Sequence, residues 1–306
     1  MNHPYQSASP LYRLVSAAAY LFALLYIAIQ SSIAHAQPKT NYHYSYWDWG
    51  KTPKRDAYQV ELLTLALDAT RSTHGEYSIS RVRRSYTTNR VRREINLGDV
   101  VNIRVGAWIS EAQTDLETNI AAKVPILNQM MGFRSLIVHK DSLVKFAGIN
   151  TAEQLQTLTA GQGRGWQDSA IYRHSNYQVI EADDMDSLAS MQGNKRFDYL
   201  PLAAIEAQSF IDKHPDIAPK LAIVPELMVF YPYPIVFYLS SKQAYLAQRL
   251  ELGLEALKEQ GKITALLNKH FAEHMRVIQS KNTRYIMLEN PFIPPELAIK
   301  PNSLQL

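Results

Sequence analysis

The residues of this 306-residue chain that could do chemistry are few: His270 and His274, four apart; three alternating glycines, Gly161, Gly163 and Gly165, leading to Trp166 and Asp168; and six arginines between Arg81 and Arg93. The two histidines would share one helix face and could hold a metal. With Glu273 pointing elsewhere, two imidazoles leave such a site incomplete, so no metal is expected. The glycines lack the spacing of a dinucleotide fingerprint and read better as a tight turn that lets backbone amides at the next helix's start face a cleft. Asp168 is either a ligand contact or the N-cap of that helix, with the cap the better reading. Gly-x-Ser-x-Gly, His-Glu-x-x-His and Walker motifs are missing, and the chain holds no cysteine. No enzyme and no cofactor is therefore expected.

The stretch that carries the glycines, Gly161 to Glu206, parses as one α/β unit. A helix from Asp168, a strand Tyr177–Ile180, a helix with Met185, Leu188, Ala189 and Gln192 at helical spacing, and a strand Phe197–Tyr199 follow one another. That order predicts a mostly parallel sheet flanked by helices, which gathers ligands at the carboxyl ends of its strands. Upstream, Asn41–Trp49 is aromatic-rich and strand-like, Asp56–Thr70 is an apolar-striped helix, and Val100–Val105 leads to Trp108. Trp47, Trp108, Trp166 and Tyr199 each lie in or just after a predicted strand or its exit loop. Together they predict an aromatic pocket that favours a ligand with a ring or a flat face.

Residues 1–36 predict a secretory signal: Arg13 precedes an apolar run from Leu14 to Ile29, and Ala34-x-Ala36 supplies small residues at a cleavage site. The formal charge of +4 falls to +3 once Arg13 is removed, too weak a balance to imply nucleic acid. Six cations in Arg81–Arg93 could draw an anionic ligand or lipid headgroups, or simply form a solvated face. Without cysteine there is neither a lipid anchor nor a disulfide framework, and about 270 residues must stand on two ordinary cores.

Gly163-x-Gly165-Trp166-x-Asp168, followed by Arg196-Phe197-Asp198-Tyr199-x-Pro201, resembles the second lobe of bacterial extracellular solute-binding proteins of family 3. That group includes the amino-acid-binding components of ABC transporters, and the resemblance runs from about Tyr42 to Phe271. It implies a type II periplasmic-binding (Venus-flytrap) α/β fold, with residues 37–132 and 233–279 as the first lobe and 133–232 as the second; beyond it, 280–306, with Pro291, Pro294, Pro295 and Pro301, reads as an extended C-terminal tail over the surface. It also implies a monomeric periplasmic protein that passes a small ligand, amino-acid-like or aromatic, to an inner-membrane permease, or that reports the ligand to a sensor. By the same resemblance Trp47, Asp48 and Trp49 stand at the cleft mouth, Gly165, Trp166 and Tyr199 point into it, and Asp198 with Arg196 fixes a turn. Two positions depart from the family. Glu111 lies where a carboxylate-binding arginine is usual, and Ala203 where a polar residue holds the α-amino group. Both weigh against a plain α-amino acid held in the usual manner.

Overall fold

The computed structural model describes residues 42–50, 52–108, 119–294 and 297. The predicted signal segment, Glu111 and most of the residues beyond Pro294 lie outside them. The first lobe is built from β1 (Tyr42–Asp48), α1 (Pro53–Ala69), the one-turn α2 (Arg71–His74), β2 (Tyr77–Arg83), α3 (Thr88–Leu97), β3 (Ile103–Ala107) and β4 (Asn119–Ala122). The chain then crosses into a second sheet through β5 (Phe133–His139), α4 (Leu143–Ala147), α5 (Ala152–Gln156), β6 (Thr159–Gly163), α6 (Gln167–His174), β7 (Gln178–Ala182), α7 (Met185–Gly193), β8 (Tyr199–Ala203), α8 (Ala204–Asp212) and β9 (Leu221–Phe230). It returns through β10 (Ile235–Ser240), α9 (Ala244–Glu259) and α10 (Lys262–Ile278), and then sends β11 (Arg284–Met287) back again.

The strand orders are β2-β1-β3-β10-β4 and β11-β9-β5-β8-β6-β7. Parallel pairs such as β1 with β3 and β6 with β7 are the product of helical crossovers. The strands that arrive by the interlobe connections run the other way. β10 is antiparallel to β3 and β4, and β5 to β8 and β9, so both sheets are mixed. β5 and β10 are buried along almost their whole length, as expected of central strands covered on both faces.

Helix ends follow from local residues. Thr151 and Gln154 form the reciprocal capping box of α5, Asp184 caps α7 by accepting from Ser187 N, and Gly261, at φ +67°, separates α9 from α10. In the first lobe Arg249 of α9 is fully buried. Its guanidinium donates to Thr70 Oγ1 and to the carbonyls of Leu67, Gly75 and Glu76, so it clasps the exposed end of α1. Beside it Gly253 lets α9 touch the backbone of α1, and a Cβ there would land on the Ala66 carbonyl.

Part of the tail forms a strand. β11 pairs parallel with β9 from Arg284↔Leu227 to Met287↔Phe230, because Ile286 and Leu288 have an apolar edge to cover. Leu288 N then donates to Phe230 O, and Asn290 Nδ2 to Pro232 O at 2.8 Å. The tail thus runs along the return crossover as a strap.

Candidate functional site

The glycines before α6 have a different reason from the one their spacing suggested. Gly161 and Gly163 belong to β6, and each lies under an aromatic ring: a Cβ on Gly161 would enter the Phe197 ring, and one on Gly163 the Trp166 indole. Gly165 alone makes the turn, at φ +74°. Trp166 occupies the N-cap position without a side-chain cap, so its indole is free to lie back on β6 and pack against the second lobe's core around Leu200 and Phe197.

Asp168 is therefore not the N-cap of α6. It sits in the first turn and faces inward, 5% exposed, where its Oδ1 lies 2.8 Å from Arg134 Nη2. The hydroxyls of Tyr231 and Tyr233 donate to its two oxygens, and the Arg134 guanidinium stands over both rings at 4.9 and 4.6 Å. Burial is the largest influence and works against the charge of Arg134, but Asp168, Tyr231, Tyr233 and Glu206 together outweigh it and raise the guanidinium's pKa. Both tyrosines are pushed well above their ordinary value, chiefly by burial. This box joins the start of α6 to both crossovers, since Arg134 begins β5 and Tyr231 and Tyr233 lie between β9 and β10.

An open cleft of about 290 Å³ lies on the outer side of the same helix start. Gly165, Trp166, Gln167 and Arg173 line it from the second lobe, Arg92 of α3 from the first, and Phe292 from the tail. Gln167 has both side-chain amide atoms buried with no hydrogen-bond partner among the described residues. Arg173 is held 3.1 Å from Glu181, which also borders the cleft.

The predicted aromatic residues do not converge there. Tyr199 belongs to the second lobe's core, 0% exposed, with its ring against Phe146 and Tyr172. β8 is buried on both faces, so the residue at its start has no open side. Trp47 donates Nε1–H to Arg84 O and packs on a small cluster of Val91, Ile95 and Val101 under α3. Trp108 extends β3 by donating its backbone N–H to Pro234 O at 2.8 Å, beside the return crossover. Trp49 lies 5.7 Å from the Arg55 guanidinium, which pairs across the lobes with Glu206 of α8. Of the seven candidates, Gly165 and Trp166 share the cleft.

Asp48, at the end of β1, is fully buried and binds Arg81 and Arg83 at 2.6 and 3.0 Å. Burial alone would raise its pKa, but hydrogen bonds from Arg83 and Arg81 hold it below the usual range. Part of the arginine run is thereby internal ion pairing, while Arg92 borders the cleft. Asp198 Oδ2 accepts from Thr159 N at 2.9 Å and ties β8 to β6. His270 turns to Glu61 Oε2 at 2.8 Å, and non-helical backbone at Phe271 breaks the spacing to His274. Among the described residues no cluster of three metal-ligating side chains occurs.

Sequence reasoning missed Gln167 and Phe292 as cleft residues and marked Arg92 only as one of six arginines that could draw an anionic ligand. The signals for the other two were a helix start and one aromatic set in a proline-rich tail.

No family model matches the chain, and no curated protein matches it. Solved structures do. An ancestral arginine-binding protein bound to glutamine is 14% identical, with 76% of this chain and 99% of that one covered at a TM-score of 0.55. A periplasmic His/Glu/Gln/Arg/opine family-binding protein from Silicibacter pomeroyi, in complex with lysine, is 12% identical over 75% and 97%, at 0.53. A histidine kinase sensor domain with similarity to periplasmic binding proteins is 15% identical over 76% and 97%, at 0.52. The chain has the two-lobed α/β fold of the periplasmic binding proteins.

Proposed function

We propose that this protein is a non-enzymatic solute-binding protein of the bacterial periplasm, exported by residues 1–36, which closes two lobes over a small ligand and delivers it to an ABC-type permease. The lobe limits fall near 132/133 and 232/233. The observation that carries this reading is the cleft lined by α3, the start of α6 and the tail, in a fold whose lobes are joined by crossover segments. In such a design the ligand stabilises the closed form by its differential affinity for it. Two of the structural neighbours are bound to glutamine and to lysine, which supports a small polar or amphiphilic ligand.

The test is a thermal-shift panel of amino acids, organic acids, sugars and short peptides on the mature protein. A ligand selective for the folded form raises its melting temperature by mass action. For the ligand so found, Trp166→Ala should weaken binding by roughly 1–3 kcal/mol with folding still cooperative. A panel with no stabilising ligand, or a ligand indifferent to Trp166, speaks against the reading. The kinase sensor domain of the same fold supports a second reading, a ligand-reporting module docked to a membrane partner. A neighbouring permease and ATPase gene pair would favour transport, and its absence sensing.

A further inference from the structure

We infer that the C-terminal strap is a brace on the hinge: Asn290, together with Gln129 of the first crossover, clamps the Pro232–Tyr233 peptide and so sets the angle between the lobes. The device belongs to the two-lobed fold and acts whether or not a ligand is bound.

A hinge bends where a few residues absorb a change in φ and ψ. The return crossover, Tyr231-Pro232-Tyr233-Pro234, has little such freedom. Each proline fixes its own φ and holds the residue before it extended, so turning the 232–233 peptide about ψ of Pro232 and φ of Tyr233 is the main motion that remains. That peptide is held at both edges. Its carbonyl, Pro232 O, accepts from Asn290 Nδ2 at 2.8 Å, and its N–H, on Tyr233, donates to Gln129 Oε1 at 2.8 Å. Gln129 and Asn290 are buried, 4% and 9% exposed, where a hydrogen bond is stronger than in water.

Each half of the clamp is itself built in. Asn128 and Gln129 take left-handed backbone, at φ +42° and +66°, which for glutamine persists only where the surroundings impose it. Asn290 closes a turn of its own, its Oδ1 accepting from Phe292 N at 3.0 Å. The strap that carries it turns Ile286, Leu288 and Asn290 inward and Met287 and Glu289 outward, and it pairs with β9 as far as Phe230. Tyr285 adds two holds. Its hydroxyl donates to Ile278 O at the end of α10, and its ring lies 5.7 Å from that of Phe133, where the first crossover enters β5. The passage from α10 to β11 is thus a third connection between the lobes, and the strap touches both of the others. Two residues past the clamp, Phe292 borders the cleft, so hinge and cleft meet on one short piece of chain.

The test follows the angle between the lobes of the mature protein with no ligand added. The chain has no cysteine, so Lys258→Cys on α9 and Ser190→Cys on α7, both exposed, take one spin label each, and pulsed electron resonance reads the interlobe distance. Hydrogen exchange at the Tyr233 N–H reads the clamped peptide. Asn290→Asp keeps the acceptor for Phe292 N and loses the donor to Pro232 O. Gln129→Ala removes the other hold and leaves the strap intact, while Glu289→Gln, on the outer side of the strap, is the control. The expected result is one narrow interlobe distance in the native sequence, broadened or shifted by Asn290→Asp and by Gln129→Ala. Exchange at Tyr233 should be roughly tenfold faster in each, the scale of one net hydrogen bond. Glu289→Gln should change neither. A broad distribution in the native sequence overturns the clamp, and so do variants that exchange and sample distances as the native sequence does. Should Asn290→Asp also lower the urea midpoint, Gln129→Ala decides: broadening there supports the clamp, and its absence overturns it. With no ligand in the measurement, either result leaves the solute-binding reading standing.

Discussion

Replacing Asp168 by asparagine removes one negative charge from a box that has no other. Arg134 and Asp168 are 5% and 6% exposed at their side chains, so the pair belongs to the buried class, in which breaking one partner costs about 3–5 kcal/mol, and not to the surface class worth about 0–1. Asparagine keeps an acceptor oxygen for one tyrosyl hydroxyl and presents an N–H₂ to the other, which adds about 1 kcal/mol. The expected loss is about 4–6 kcal/mol, or a melting temperature lower by roughly 8–24 °C. Urea unfolding followed by circular dichroism at pH 7 measures it. The double variant Arg134→Met with Asp168→Leu removes both charges and should cost less than Asp168→Asn alone. A single-variant cost below about 1 kcal/mol, or a double variant no better than the single one, would show that the box is hydrated and the argument mistaken.

Two further outcomes follow from the first lobe. Burial, opposed by Arg55 and reinforced by the Asp48 charge, pushes the Asp56 carboxyl from an ordinary 3.8 up to about 6. The folded state then binds that proton more tightly than the unfolded state, so stability is lost as pH rises from about 4 to 6. Asp56→Asn should therefore gain roughly 2–3 kcal/mol at pH 7 and almost nothing below pH 4, and parallel pH–stability curves for the two proteins would contradict this. Gly253→Ala should cost at least about 1–3 kcal/mol, because α9 must back away from Ala66 O to admit a methyl group; an unchanged urea midpoint would show that the helices have room.

What the sequence made legible was local. The Thr151 capping box, the glycine that parts α9 from α10 and the alternating elements of Gly161–Glu206 each specify their structure within a few residues. The site was harder to read. The tyrosines that hold Asp168 lie 63 and 65 residues further along, and no local pattern announces them. Trp47 and Tyr199 were read by position at strand ends, but what decides their role is which face is covered. α3 covers Trp47, while the rings of Phe146 and Tyr172 enclose Tyr199. Phe292 stood outside every periodic segment, and only the pairing of β11 with β9 brings it to the cleft.

The return of β11 to the second sheet bears on how the chain can fold as it emerges, amino end first. The first sheet waits for β10 to fill the gap between β3 and β4, and the second gains its last strand only with Arg284–Met287. Until then the Leu227–Phe230 half of β9 lacks the strand that pairs along its outer side. Neither lobe can be finished early and set aside, and most of the pairing is between segments far apart in the chain, a topology that folds slowly. A nascent chain of this sequence is safest kept unfolded until Arg284–Met287 are free, because that strand closes the edge left by Leu227–Phe230.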